Sequence, residues 1–324
     1  MNQFSELFKS AWEFLLRSRS RLIVIHENPD GDAVASVLAM AHLTRSFPGQ
    51  TQILLPDAPA EYHYLPGFNL ITGELTKMFD CVLALDYGAW SRTGLSPDVP
   101  ENKIITVDHH PKGRQRGALN IINAEASSTC ELLYEWVIAL NLPLDRDLAF
   151  LILTGIMTDT GNLQYASTTS RTLEIVEQLV LAGAPLPKVT RRLNNTNTTA
   201  MLKAWAKLLN EVEVDVVLNV VYLLLPFERQ QALGFTSEQY SGFASFLVTI
   251  PGHRAAAFLR EEEWGVVQGS LRSDGPNALN VAKVAEKMSG GGHPRASGFT
   301  FHGSPAEAWA KLKLAFQEIL GDTI

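Results

Sequence analysis

The segment His26-Glu27-Asn28-Pro29-Asp30-Gly31-Asp32 sets an imidazole and two carboxylates within seven residues of aspartate-rich turn. Pro29 and Gly31 favour a tight turn that aims Asp30 and Asp32 into one space, where the two carboxylates repel each other unless a cation joins them. Three further segments offer the same donor types: Leu85-Asp86, Val107-Asp108-His109-His110, and the stretch 154–161, which carries Asp159. Every donor is an oxygen or an imidazole and none is a thiolate, a set that suits Mn²⁺ or Mg²⁺ better than structural zinc. Taken one at a time, Asp86 and Asp159 read more simply as helix caps or turn formers, and a single histidine as an ordinary hydrogen-bonding residue. Four segments with the same chemistry together predict a hard-metal centre.

Elements able to position these donors are visible in the apolar pattern. RLIVI (21–25) is a short β-rich run before the first cluster, and AVASVLAMAHLTRSF (33–47) has helical spacing after it, giving strand, loop and helix. Similar runs recur at TQILL (51–55), CVLAL (81–85) and KIITV (103–107). Strands so continuously apolar predict a parallel sheet covered on both faces, and such sheets bind ligands at their strand carboxyl ends. His26 to Asp32, Asp86 and Asp108 to His110 all follow a strand, whereas Asp159 follows a buried helical stretch. Helical spacing dominates from about 127 to 210, and the polar RRLNNTNTT (191–199) interrupts it.

The expected architecture is α/β, with an N-terminal doubly wound, mainly parallel sheet over 1–195, an interdomain linker or helix over 196–211, and a smaller α/β domain over 212–324. In the smaller domain VVLNVVYLLL (216–225), AAAFLRE (255–261) and WGVVQGSLRS (264–273) read as strands, and ALNVAKVAEKM (278–288) and PAEAWAKLKLAFQEIL (305–320) as helices.

Composition narrows the function classes. At 324 residues the chain exceeds what one hydrophobic core usually serves, and 46% hydrophobic with 19% charged residues describes a folded globule. A net charge of −7 argues against coating long nucleic acid, which takes a basic stripe, and suits a short substrate. Bound cations would offset the acidic clusters locally. Cys81 and Cys130 sit in apolar contexts without metal-ligand spacing, so buried free thiols are expected. The amphipathic start is broken by Glu6, Lys9, Glu13 and Arg17, unlike a signal peptide, and no stretch is long and apolar enough for a bilayer. The cytoplasm is the expected address, with no membrane partner.

In order along the chain, HENPDGDA, LALD, VDHH and GIMTDTG resemble the four motifs of the DHH phosphoesterase superfamily. ASSTCELLYE (126–135) and SGGGHPRASGF (289–299) resemble its bacterial nanoRNase and pAp phosphatase branch, and the likeness covers nearly the whole chain. The resemblance implies two Mn²⁺, with Mg²⁺ or Co²⁺ as alternatives. His26, Asp30 and Asp86 would hold one ion, and Asp32, Asp86, His109 and Asp159 the other, with Asp86 bridging. Paired cations lower the pKa of a shared water and stabilise charge on attacking and leaving oxygens, so no side-chain nucleophile is needed. Asp108 would orient the neighbouring histidines, and His110 would face substrate.

The resemblance also assigns a gripping role to the second domain, across a cleft from the first. Gly290-Gly291-Gly292-His293 reads as a loop whose exposed N–H groups cradle a phosphate or a base edge, although a flexible connector is the plainer reading of glycines alone. Arg272 would pair with a terminal phosphate in bidentate geometry, while Ser273 and His293 add directional hydrogen bonds. Ala296-Ser297-Gly298 departs slightly from the family's alanine pair and glycine, and Pro294 and Arg295 are individual to this chain. Lys112, Arg114 and Arg116 either steer anions or decorate a solvated loop, and Arg92 either meets a phosphate or pairs with the acidic cluster.

The function so implied is hydrolysis of oligonucleotides of a few residues to mononucleotides, with removal of the 3′-phosphate of pAp. Rival readings are a phosphodiesterase of cyclic dinucleotides or their linear products, a pyrophosphatase, and a nucleotide-binding regulatory module without catalysis. Short oligonucleotides and small nucleotides are the expected partners, and a homodimer is the family expectation.

Overall fold

The computed structural model describes residues 4–55, 58–75, 79–96, 98–111, 115–194, 198–275 and 278–321. Lys112 and Arg114 lie outside these, as does the side chain of His293. The chain divides into two compact units, residues 1–194 and 195–324.

The first unit runs α1 (Ser5–Arg17), β1 (Ser20–Val24), α2 (Gly31–Thr44), β2 (Gln50–Leu54), β3 (Ile71–Thr72), β4 (Cys81–Leu85), β5 (Ile104–Asp108), β6 (Leu119–Ile122), α3 (Thr129–Ala139), α4 (Arg146–Asp159), α5 (Ser170–Leu181) and α6 (Leu186–Asn194). Its strands are all parallel and ordered β3-β2-β1-β4-β5-β6, so the winding reverses between β1 and β4. A crevice at the strand carboxyl ends forms at such a reversal because the connections leave in opposite directions. Ile23, Leu83, Ile105 and Val107 face the helices in one large core, whereas Leu22, Val24, Val82 and Ala84 pack against Tyr87 and Trp90 on the other face. Helix α2 is buried almost all round, and Asp30 starts it by accepting N–H groups of Asp32 and Ala33 at 3.1 Å each. The thiols of Cys81 and Cys130 are free and buried, as their contexts predicted.

The second unit contains α7 (Thr199–Leu208), β7 (Glu213–Asp215), β8 (Val220–Leu225), α8 (Phe227–Leu233), α9 (Ser237–Tyr240), α10 (Phe243–Leu247), β9 (Ala255–Glu263), β10 (Val266–Arg272), α11 (Val281–Lys287), β11 (Gly291–His293), β12 (Ala296–His302) and α12 (Pro305–Gly321). Its sheet is mixed, in the order β11-β12-β10-β9-β8-β7, with β8 and β9 parallel and the other pairs antiparallel. Val267 and Leu271 of β10 face α11 and α12, and the opposite face of β8 and β9 packs against α7, α9 and α10.

Two expectations change here, and a third is made more specific. The segment 196–211 is expected as an interdomain linker or helix, and its helix α7 buries Met201, Ala204, Trp205 and Leu208 in a core shared with Val221, Leu223 and Phe258 of the second unit. Residues 216–225 are expected as one strand, yet Val216 and Val217 are 83% and 82% exposed in a turn. Asp215 makes that turn by accepting the N–H groups of Val217 and Leu218, and Asn219 leaves it with φ +58°. The glycine run is expected as a loop but forms β11, hairpin-paired with β12 at an outer edge of the sheet.

Candidate metal centre

His26 follows β1 and is buried, and its Nδ1 donates to the carbonyl oxygen of Glu27 at 2.7 Å. A carbonyl only accepts, so the proton sits on Nδ1 and Nε2 keeps the lone pair that a metal needs. Asp32, in the first turn of α2, is fully buried. Its Oδ2 accepts the Thr129 N–H at 2.7 Å and its Oδ1 the Cys130 N–H at 3.0 Å, both in the first turn of α3. The dipole of that helix favours an anion there. Glycines make room for this arrangement: a Cβ on Gly155 of α4 would lie 2.3 Å from both Asp32 Oδ1 and Cys130 Sγ, and one on Gly31 would lie 2.3 Å from Thr158 Oγ1.

Asp86 follows β4 with φ +49°, a left-handed conformation that few non-glycine residues adopt. It is buried and its Oδ1 accepts the Thr129 hydroxyl at 3.1 Å. His109 Nε2 lies 3.1 Å from Asp159 Oδ2 and 3.5 Å from Asp86 Oδ1. Asp108, fully buried at the end of β5, accepts from Gly88 N at 2.8 Å and Tyr87 N at 3.3 Å through Oδ2. Through Oδ1 it accepts both the backbone N–H and the ring Nδ1–H of His110, at 2.9 and 2.8 Å.

Three groups of donors result, each with its ligand atoms within 4.8 Å of one another: His26, Asp30 and Asp86; Asp32, His109 and Asp159; and Asp86, His109 and His110. Asp86 belongs to two of these groups and His109 to two. Burial lifts Asp32 well above the usual carboxylate range, and the charges of Asp159 and Asp86 add to the shift. Burial likewise raises Asp86, with Asp30 reinforcing it. Burial lifts Asp159 to about 7 against the hydrogen bond from His109, with Asp30 adding its repulsion. Burial alone would depress His109, but the hydrogen bond to Asp159 and the charge of Asp86 hold it well above its ordinary value. Burial alone would also raise Asp108, yet the hydrogen bond and charge of His110 hold it below the usual range. Carboxylates so crowded and dehydrated suit divalent cations, which compensate their charge and match their oxygen and imidazole donors.

In the second unit, Arg272 ends β10, its Nε donating to Ser245 Oγ at 3.1 Å and its Nη1 to the Leu271 carbonyl oxygen at 2.9 Å. With Tyr240, Ser241, Arg260, Gln268 and Ser270 it lines a polar pocket of about 460 Å³. Ser273 is buried, and its hydroxyl donates to the Leu279 carbonyl oxygen at 2.6 Å, so that proton is committed inside the protein. Gly290 is pressed on Gly298 O and Phe299, and Gly292, at φ +141°, on Ala296 O, so both serve the hairpin, whereas Gly291 stands in open space. Arg116 pairs with Glu101 at 2.6 Å and stacks over Trp90, away from any steering role by a free cation. Arg92 accepts the Glu27 N–H through its backbone carbonyl, and its Nη1 lies near the Gly88 and His110 contact. Sequence reasoning missed Thr129, Gly155 and Gly88 as parts of the centre, although Thr129 lies within the quoted ASSTCELLYE segment.

A parallel sheet in β3-β2-β1-β4-β5-β6 order thus gathers aspartate and histidine donors beyond β1, β4 and β5, the frame of a metal-dependent hydrolase. Residues 21–156 match the DHH family, N-terminal domain, and residues 218–322 match the DHHA1 domain, so the chain carries both domains. It is a phosphoesterase. It is 28% identical, over 87% of its length and 84% of the relative's, to the bifunctional oligoribonuclease and PAP phosphatase NrnA of Thermus thermophilus. The protein of the same name in Bacillus subtilis is 25% identical over 86% of this chain and 88% of that one. The crystal structure of an exopolyphosphatase-related protein from Bacteroides fragilis superposes with a TM-score of 0.85 at 26% identity, covering 97% of this chain and 96% of that one. Among the described residues no helix is long and apolar enough to cross a membrane.

Proposed function

We propose that this chain is a Mn²⁺-dependent phosphoesterase that hydrolyses very short oligonucleotides to mononucleotides and removes the 3′-phosphate of pAp. The observation that carries the reading is the overlap of the donor groups: Asp86 stands with His26 and Asp30 and lies 3.5 Å from His109, which is itself grouped with Asp32 and Asp159, and this supports Asp86 as a carboxylate common to two ion sites. His26, Asp30 and Asp86 hold the first ion, and Asp32, Asp86, His109 and Asp159 the second. When bound, such a pair supplies Lewis acidity toward the phosphate and a lowered pKa for water.

The remaining work falls to the chain itself. Asp108 fixes the ring of His110 through Nδ1, and His110 contacts the scissile phosphate or its leaving oxygen through Nε2. Asp32 is held by the α3 N-terminus, so its orientation does not depend on the ion. Arg272, steadied by Ser245, pairs with the terminal phosphate of the substrate, and the β11 backbone with His293 borders it. Ser273 shapes the turn after Arg272. The net charge of −7 and the named activities of the Thermus and Bacillus relatives both favour a short substrate.

A substrate panel tests this. With Mn²⁺, the full chain is expected to release mononucleotides from a 5′-phosphorylated RNA dinucleotide and phosphate from pAp, with cyclic di-AMP and pyrophosphate left essentially intact. Turnover of cyclic di-AMP or pyrophosphate alone would keep the family and overturn the substrate.

A further inference from the structure

Asp159 ends α4, and the chain beyond it takes an unfavoured path. Gly161, Asn162 and Leu163 have φ of +55°, +61° and +65°, a left-handed turn three residues long. L-residues visit this region singly and seldom, so Leu163 is held there against its own preference. The holding contacts are plain. Asn162 N donates to Met157 O at 2.8 Å, Leu163 N to Thr160 Oγ1 at 3.1 Å, and the N–H groups of Gln164 and Tyr165 both to Thr160 O at 2.9 Å. The Leu163 side chain packs on the main core of the first unit. Backbone kept in a disfavoured conformation by so many bonds points to a side chain whose placement matters.

That side chain is Tyr165. A Cβ on Gly161 would lie 2.4, 2.5 and 2.7 Å from Cζ, Cε1 and Cε2 of Tyr165, so the ring occupies space that only a glycine leaves. Tyr165 nevertheless remains 44% exposed, supported from one side and open to solvent elsewhere. The loop also folds back on Asp159, whose carbonyl oxygen accepts the Ser167 hydroxyl at 3.4 Å.

We propose that Tyr165 is a stacking platform for a nucleobase of the substrate, set beside the metal-ligating Asp159 by the left-handed turn. This rests on the nucleotide-hydrolysing function above. Every base has a π-face, so one aromatic platform accepts all bases and gives affinity without sequence preference. A tyrosine needing only its ring would be replaceable by phenylalanine and not by an aliphatic residue of similar bulk.

The test uses the full chain with Mn²⁺ and a 5′-phosphorylated dinucleotide that carries 2-aminopurine and a non-hydrolysable phosphonate linkage. Stacking quenches 2-aminopurine fluorescence. Wild type and Tyr165→Phe are expected to quench it equally, whereas Tyr165→Leu, which keeps bulk over Gly161, loses the quench and binds about tenfold more weakly. In turnover of the ordinary dinucleotide, Tyr165→Leu should raise KM by about tenfold with kcat changed less than about twofold. An abasic dinucleotide should erase the difference between the variants. Equal quenching by Tyr165→Leu, or a kcat loss that persists on the abasic substrate, would overturn the proposal in favour of a role in supporting Asp159. Quenching without hydrolysis in wild type would instead count against the proposed activity and leave the platform standing.

Discussion

Asp108 grips His110 twice through one oxygen, accepting its backbone N–H at 2.9 Å and its ring Nδ1–H at 2.8 Å. The other oxygen takes the N–H groups of Tyr87 and Gly88, so the carboxylate ties the ends of β4 and β5 to the imidazole. Asp108→Asn replaces one acceptor with a donor facing N–H groups. Removing a general acid–base contribution lowers rates by about 10²–10⁴, and kcat on the dinucleotide is expected to fall within that range. Mn²⁺ binding measured by calorimetry should be nearly unchanged, because Asp108 is outside the donor groups.

Gly155 is a packing requirement of the same centre. A Cβ there would meet Asp32 Oδ1 and Cys130 Sγ at 2.3 Å. Gly155→Ala should therefore destabilise the chain by about 1–3 kcal/mol through overpacking, and should also weaken Mn²⁺ binding by displacing Asp32. Thermal unfolding and metal titration on the same preparation check both effects.

Proton and metal compete for the donors, and the sign follows from the shifts. Asp159 moves from 3.8 to about 7 on folding, so the metal-free fold holds its proton more tightly than the unfolded chain. Its contribution to stability is complete below 3.8 and is lost as pH rises through about 7. His109, raised above 6.5, acts in the same direction, its contribution being present below 6.5 and lost as pH rises through its folded value. Bound cations compensate the released charge and bind the deprotonated donors. The Tm gap between Mn²⁺-loaded and EDTA-treated protein should widen from pH 5 to pH 8. A constant or narrowing gap would refute this assignment of the donors.

Trp205 anchors α7 to the second unit, buried beside Phe243 with its Nε1 donating to Gln239 O at 3.0 Å. Trp205→Ala should cost about 3–5 kcal/mol in the unfolding of that unit, as large aromatic truncations do. Mn²⁺ binding by the first unit, which holds all the donors, should be retained.

The donors of the first unit were legible because each stands where a change of periodicity ends an element. RLIVI, CVLAL and KIITV are too apolar and too short for anything but buried strands, and the residues that follow them must face the sheet edge. The partners of those donors were not legible, since Asp32 finds Thr129 and Cys130 nearly a hundred residues away through helix packing alone. The amphipathic pattern of 199–208 predicts a helix but not which core receives it. Val216 and Val217 read as strand because they are β-branched, but Asp215 and Asn219 turn the chain and leave them in solvent. β11 is not visible in the sequence because Gly291 and Gly292 carry no strand preference, and its pairing comes from β12.

The most direct test of the account is Mn²⁺-dependent release of mononucleotide from a 5′-phosphorylated RNA dinucleotide by wild type and Asp86→Asn, with equal folding shown by circular dichroism. The account predicts release by wild type that EDTA abolishes and Mn²⁺ restores, and background release by Asp86→Asn at any Mn²⁺ concentration. Undiminished turnover by Asp86→Asn, or by EDTA-treated wild type, would contradict a centre built on a carboxylate shared between two ions.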